Sequence, residues 1–319
     1  MSTLAVIICT WNRADSLRTT LESLQAQDAA GVAVEVIVVD NNSKDHTRAV
    51  VEALAQGWRL GQLRYVFEGR QGKQFALNAG IAASSAELLA FTDDDILFPP
   101  SWIAMLDAAF ADPRVELAGG RTLLDWPADG PPRWYDDEMH AILGAVDLGP
   151  QRLSPPPHGY APAGANLAAR RAVFDRVGMF SERHFRHMDY EFGMRCARMG
   201  VGIAYVPELL VLAPVDPAML SRRYFRRWSF KAGISARDED APGIKLLLGV
   251  PRWVFSQLAG DLLRYPLECL LRPANRAFAR QLRIWRALGT ISSRWYASLW
   301  PERYPQWVEH YSQKKKNLY

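Results

Sequence analysis

The stretch ELLAFTDDDILFPPSW, residues 87–102, sets the apolar run Leu88-Leu89-Ala90-Phe91 almost directly before three consecutive carboxylates, Asp93, Asp94 and Asp95. A short, continuous apolar run bounded by polar residues is the pattern of a strand buried on both faces. Three adjacent like charges repel, and ionised groups beside such a strand lose hydration at a heavy cost unless something compensates. A divalent cation held through carboxylate oxygens is the simplest compensator. In extended backbone Asp93 and Asp95 point to one side and Asp94 to the other.

Outward from this run the same rhythm repeats. LAVIIC (4–9), VEVIVVD (34–40), LRYVF (63–67) and LLAFT (88–92) read as strands. Between them lie helical patterns: Asp15 as cap for a helix carrying Leu17, Leu21 and Leu24, Asp45 as cap for one carrying Val50, Val51 and Leu54, and Lys73–Ala83. This order predicts an α/β fold, a Rossmann-like, mainly parallel sheet flanked by helices. Ligands bind such sheets at the carboxyl ends of the strands, where Thr10, Asp40 and Asp93–Asp95 fall. Residues 125–162, rich in Pro, Gly and Trp, read as an ordered loop region, and VGIAYVP (201–207) as a further strand.

Composition narrows the class. Among 319 residues the three cysteines, Cys9, Cys196 and Cys269, show no pairing or metal-ligand spacing, which argues for a reducing compartment and against structural zinc. The N-terminal apolar stretch is too short for a secretory signal and lacks a basic lead, so a cytoplasmic location is expected. The formal net charge of +4 conceals an asymmetry: residues 217–319 carry 19 Lys/Arg against 7 Asp/Glu, leaving the first 216 net acidic. Six of the 11 tryptophans lie in that basic tail. Two jobs are implied, with a domain over 1–216 and a helical extension over 217–319.

Six pieces occur in order: VIICTWNR, VIVVDNNSKDHT, GKQFALNAGI, LLAFTDDDI, PAGANLAARRAVFDRVGMF and HMDYEFGMRCARMG. Together they resemble the family 2 glycosyltransferases of the GT-A type, over roughly residues 4–233. The resemblance implies a GT-A fold, a nucleotide-sugar donor, Mn²⁺ or Mg²⁺, and inversion at the transferred sugar. It assigns nucleotide contacts to Thr10, Asp40, Lys73, Asp93 and Asp94, and a carboxylate such as Asp40 suits the imide N–H of uracil in UDP. Asp93 and Asp95 become the ribose and metal pair of a D-x-D motif, with the choice among the three acids open. Asp189 takes the place of the base that removes the acceptor proton; it is also a good N-cap for a helix with Phe192, Cys196 and Met199 on one face. Glu191 and Arg195 support the site or form an ordinary helix ion pair, and Asn78 serves the helix or the ligand.

Two positions depart from the family pattern: Met188 replaces the usual Glu before the base, and Ala213 stands where relatives carry a metal-binding His. Either the ion has fewer protein ligands, or His184 or His187 substitutes, or activity is reduced. A non-catalytic scaffold binding nucleotide or glycan is therefore the alternative to an enzyme. A nucleotidyltransferase is disfavoured because TWNRADS supplies no Gly-rich phosphate loop.

The tail reads as amphipathic. KLLLGVPRWVFSQLAGDLLRYPLECLLRP is apolar but interrupted by Arg252, Asp261, Arg264 and Glu268, which suits a helix in a membrane interface better than one crossing it. The expected partners are an anionic membrane surface and a glycan or lipid-linked acceptor in cell-surface polysaccharide assembly, with the protein peripheral on the inner face. Packing on the catalytic domain or a homodimer contact is the competing expectation. Nucleic acid is not expected, since no nucleic-acid motif accompanies the charge.

Overall fold

The computed structural model describes residues 3–29, 31–182, 187–235 and 243–313. Contacts divide the chain into two compact units, residues 1–125 with 144–214, and residues 126–143 with 215–319. Residues 126–143, which the sequence groups with the first domain, thus cluster with the tail. Their aromatic side chains explain it: the Trp134 ring meets Phe225 and Phe278 edge-on at 5.1 Å, and Asn275 donates to Asp136 at 2.9 Å.

The first unit runs β1 (Thr3–Thr10), α1 (Ala14–Gln25), β2 (Ala33–Asp40), α2 (Thr47–Ala55), β3 (Gln62–Phe67), α3 (Lys73–Ala83), β4 (Leu88–Asp93) and α4 (Trp102–Phe110). It continues with β5 (Leu117–Gly119), β6 (Thr122–Asp125), β7 (Leu167–Arg170), α5 (Arg171–Val177), α6 (Met188–Arg198), β8 (Ile203–Tyr205) and β9 (Val211–Pro214). Seven strands form one sheet in the order β3-β2-β1-β4-β7-β5-β8, parallel except where β7 runs against β4 and β5. The four expected strands are β1 to β4; helices on both sides bury β1, β2 and β4 almost throughout, whereas β3, at the sheet edge, buries only Leu63. Leu17, Leu21 and Leu24 of α1 close one core, and Ala76, Leu77 and Ile81 of α3 close the other. The strand expected over 201–207 shrinks to three residues, and residues 211–214 pair with β6 in a separate two-stranded ladder.

Capping differs from expectation. Asp15 lies inside the first turn of α1, which begins at Ala14 with no capping side chain of its own. The cap arrives from the next loop: Asp45 Oδ2 accepts the Ala14 N–H at 3.1 Å, while Oδ1 accepts the Thr47 N–H that opens α2. One carboxylate therefore ties together the starts of α1 and α2.

The second unit contains α7 (Arg222–Ser235), the hairpin strands β10 (Leu246–Leu247) and β11 (Val250–Pro251), α8 (Arg252–Leu271), α9 (Ala274–Leu299) and α10 (Tyr304–Gln313). Gly233 and Gly289 let α7 and α9 approach until their backbones touch; a Cβ on Gly289 would lie 2.1 Å from the Phe230 carbonyl oxygen. No helix among the described residues is long and apolar enough to cross a membrane.

Candidate active site

Register delivers the site. In the sheet Thr10 stands opposite Asp40, and Cys9 opposite Asp93, so β1, β2 and β4 end at one rim. β4 stops at Asp93, and the chain turns through Asp94 and Asp95. The strict alternation expected of the three acids therefore fails beyond Asp93.

The cations opposite the acids come from the protein itself. Arg13 Nη1 bonds Asp94 Oδ1 at 2.8 Å and Asp95 Oδ2 at 2.7 Å, and Lys73 Nζ pairs with Asp93. Thr10 donates its hydroxyl to Asp94 Oδ2 at 2.7 Å, and Ser16 donates to the Asp94 carbonyl at 2.8 Å. Asp94 is buried, whereas Asp93 and Asp95 are about one-third exposed. Burial, together with the charges of Asp95 and Asp93, holds the Asp94 carboxyl above the usual range despite Arg13 and the Thr10 hydroxyl. Burial alone would lower Lys73, but Asp93 raises it well above an ordinary lysine, with smaller contributions from Cys9 and Asp189. The same burial pushes the Cys9 thiol up to about 12, although Lys73 opposes the shift, so Cys9 is a neutral packing group.

Lys73 is placed by a residue the sequence reading did not single out. Buried Asn41, the first residue after β2, accepts the Gly72 N–H at 2.7 Å and donates to the Arg70 carbonyl at 2.7 Å. These bonds fix the 68–72 loop and hence the start of α3. Gly72 sits at φ +148°, a conformation that L side chains rarely adopt.

Asp40 is buried, its Oδ1 accepting the Ser43 N–H at 2.9 Å and its Oδ2 the Tyr65 hydroxyl at 2.7 Å. Asp189 is the second residue of α6 and not its N-cap, which is His187 in a left-handed conformation. Its Oδ2 accepts the Gly164 N–H at 2.7 Å and its Oδ1 the Tyr190 N–H at 2.9 Å. Gly193 makes this arrangement possible, because a Cβ there would lie 2.4 Å from the Ala161 Cβ and force the 161–164 loop off α6.

The supporting residues resolve clearly. Arg195 pairs with Glu191 at 2.9 Å and also bonds the carbonyls of Val177 and Met179, clamping the chain that leads into α6. Asn78 exchanges bonds with the Phe180 backbone at 2.9 and 3.1 Å, on the same segment. Phe192 and Cys196 are buried as expected, but Met199 follows the helix and is exposed. Met188 is a core residue, and Ala213 pairs with Leu124 in the β6–β9 ladder and packs on the first core. His184 lies outside the described residues.

Asp93 and Asp95 offer hard oxygen donors at an accessible rim, the chemistry that suits Mg²⁺ or Mn²⁺. Among the described residues no three His, Cys, Asp or Glu side chains cluster to hold an ion unaided. Asp93 and Asp95, paired with Lys73 and Arg13, would supply two oxygens to an ion whose remaining shell is phosphate oxygens and water.

A mainly parallel sheet with acids gathered at the carboxyl ends of its strands is the architecture of the GT-A class of glycosyltransferases. The sequence profile of glycosyl transferase family 2 matches residues 5–178, and the chain belongs to that family. It is similar to glycosyltransferase AglE of Haloferax volcanii, 24% identical over 223 residues that make up 70% of each chain. It also resembles a pre-mycofactocin glycosyltransferase of Mycobacterium tuberculosis, 25% identical over 287 residues, 87% of this chain and 57% of the longer relative. Among solved structures, a mannosyltransferase from Pyrobaculum calidifontis in complex with GDP-Man and Mn²⁺ superposes with a TM-score of 0.56 at 20% identity, covering 97% of this chain and 84% of that one. Residues 1–349 of TarS from S. aureus, in complex with UDP, give 0.51 at 16%, covering 92% and 91%. The protein is a glycosyltransferase.

Proposed function

We propose that the protein is an inverting glycosyltransferase that moves a sugar from a UDP-sugar to a glycan or lipid-linked acceptor during cell-surface polysaccharide assembly. The observation that carries this reading is the convergence at one rim of Thr10, Asp40 and Asp93, the ends of three neighbouring strands, with Lys73 paired to Asp93.

In this reading Thr10 and Asp40 line the base, Lys73, Asp93 and Asp94 face the ribose and diphosphate, and Asp95 with Asp93 holds Mn²⁺ or Mg²⁺. When bound, the ion neutralises charge on the departing diphosphate. Asp189 accepts the acceptor's hydroxyl proton as that oxygen bonds the anomeric carbon and the bond from that carbon to the diphosphate oxygen breaks, releasing UDP. Both Asp189 oxygens accept backbone N–H groups, which orients the carboxylate, and each keeps a second lone pair for the proton. Arg13 holds Asp94 and Asp95 in place and offers a cation near the phosphates.

The lipid-linked acceptor draws support from the second unit. A cavity of about 490 Å³ is lined by Arg223, Arg226, Arg227 and Lys231 together with Phe230, Trp285 and Tyr311. Cations beside rings suit a phosphate ester. A protein acting on such an acceptor works at the inner face of the membrane as a peripheral protein.

UDP release from a panel of UDP-sugars, with Mn²⁺ or Mg²⁺ and an acceptor extract, tests the reading. Turnover that disappears in Asp189→Asn supports it. Nucleotide binding without turnover of any donor makes the chain a scaffold.

A further inference from the structure

Helix α8 packs Val254, Phe255 and Leu258 inward at its start, but from Asp261 onward it is inside-out. The face turned to α9 carries both of its acids: Asp261, only 2% exposed, meets Arg280 at 2.6 Å and Arg283 at 3.0 Å, Glu268 pairs with Arg280, and Tyr265 accepts from Gln281 at 3.0 Å. Its other face carries leucines in the open: Leu263 is 76% exposed, Leu270 81% and Leu271 77%, with Leu262, Leu267 and Trp253 more than half exposed. A helix in water shows the reverse pattern. Exposed apolar surface on this scale marks an interaction site.

The hairpin before α8 adds to it. Its two-residue loop, Leu248-Gly249, has φ +50° and +75°, the mirror-image turn that normally takes Asn-Gly. Leu248 occupies a backbone region unfavourable for a bulky side chain and is 72% exposed there. Leu246 and Leu247 beside it are also exposed. The tip is fastened to α9: Trp295 Nε1 donates to the Leu248 carbonyl at 3.1 Å and Arg294 to the Gly249 carbonyl at 3.2 Å.

Charge selects the occupant. Over residues 245–272 the acids are Asp261 and Glu268, both spent on Arg280, while Lys245, Arg252, Arg264 and Arg272 are exposed among the leucines. A second copy would bring like charge against like. We propose that the β10–β11 hairpin and the outer face of α8 form a docking surface for an anionic lipid bilayer. The leucines enter the acyl boundary, Trp253 lies at headgroup depth and the basic side chains meet lipid phosphates. This rests on the peripheral location read above and adds the surface that achieves it.

The test uses the full chain. Cys269 on α8 is the one exposed cysteine, Cys9 and Cys196 being buried, so an environment-sensitive thiol dye reports from the surface itself. With vesicles of phosphatidylcholine and phosphatidylglycerol the dye shifts to the blue and the protein sediments. With phosphatidylcholine alone, or in high salt, binding weakens by roughly tenfold. Leu248→Glu combined with Leu263→Glu, both exposed positions, lowers vesicle affinity by at least roughly tenfold while donor turnover in vesicle-free buffer is unchanged. Protein that stays in the supernatant with no dye shift overturns the surface, as does a solution dimer that the double substitution splits. Full donor turnover alongside that failure spares the glycosyltransferase reading, whereas vesicle binding without turnover supports the surface and sinks the enzyme.

Discussion

The Asp189 carboxylate is held 2.7 Å from the Gly164 amide by a loop that lies on α6 only because position 193 lacks a side chain. Gly193→Ala improves the helix intrinsically but drives a methyl into Ala161. The expected outcome is a fall in kcat of roughly tenfold or more with little loss of nucleotide affinity, since a small displacement of a reacting group is costly. Steady-state kinetics beside nucleotide titration would check it. An unchanged kcat would detach Asp189 from the chemistry.

Asp189→Asn keeps an oxygen to accept the Gly164 amide and gives up only the bond from the Tyr190 amide, while the proposed base is lost. Transfer should drop by roughly 10²–10⁴-fold, with thermal stability and UDP affinity close to those of the parent. A variant with residual transfer near the parental rate would mean that another group takes the proton.

Arg13→Ala leaves Asp94 buried with no guanidinium beside it, a loss of up to about 3–5 kcal/mol. Since Asp94 is already pushed up by burial and its acidic neighbours, the folded chain binds its proton more tightly than the unfolded chain does. Its contribution to stability is therefore full below the ordinary aspartate range and is lost as pH rises through the folded-state value. Asp94→Asn should remove that decline, so the difference in Tm between parent and variant changes with pH in the acid range. Parallel Tm curves would show that Asp94 does not titrate in that range.

Asn41→Ala frees the 68–72 loop and with it Lys73. KM for the donor should rise by roughly tenfold with a smaller change in kcat, because ground-state grip is what weakens. Asn41→Asp keeps the acceptor for the Gly72 amide and should recover part of the loss.

The sequence makes legible what local pattern controls. Thr10, Asp40 and Asp93 each end an apolar run, and Lys73 opens a helix, so their convergence follows from strand order. Arg13 does not follow: its value lies in ion pairs across 81 and 82 residues, decided by β1 and β4 being neighbours. Asn41 and Asp45 act on loops other than their own, which no helix or strand period encodes. The run from Lys245 to Pro273 reads as amphipathic, but a hairpin precedes its helix. The acids of that helix face inward, because Arg280 on α9 supplies the partner that one helix alone cannot show.

Calorimetric titration of UDP, with GDP as comparison, into the parent chain and Asp95→Asn, with and without Mn²⁺, tests most directly whether the acidic rim grips a diphosphate. UDP should bind the parent tightly only with the ion present, and Asp95→Asn should lose most of that gain. Binding that is equally strong without the ion and in the variant would contradict it.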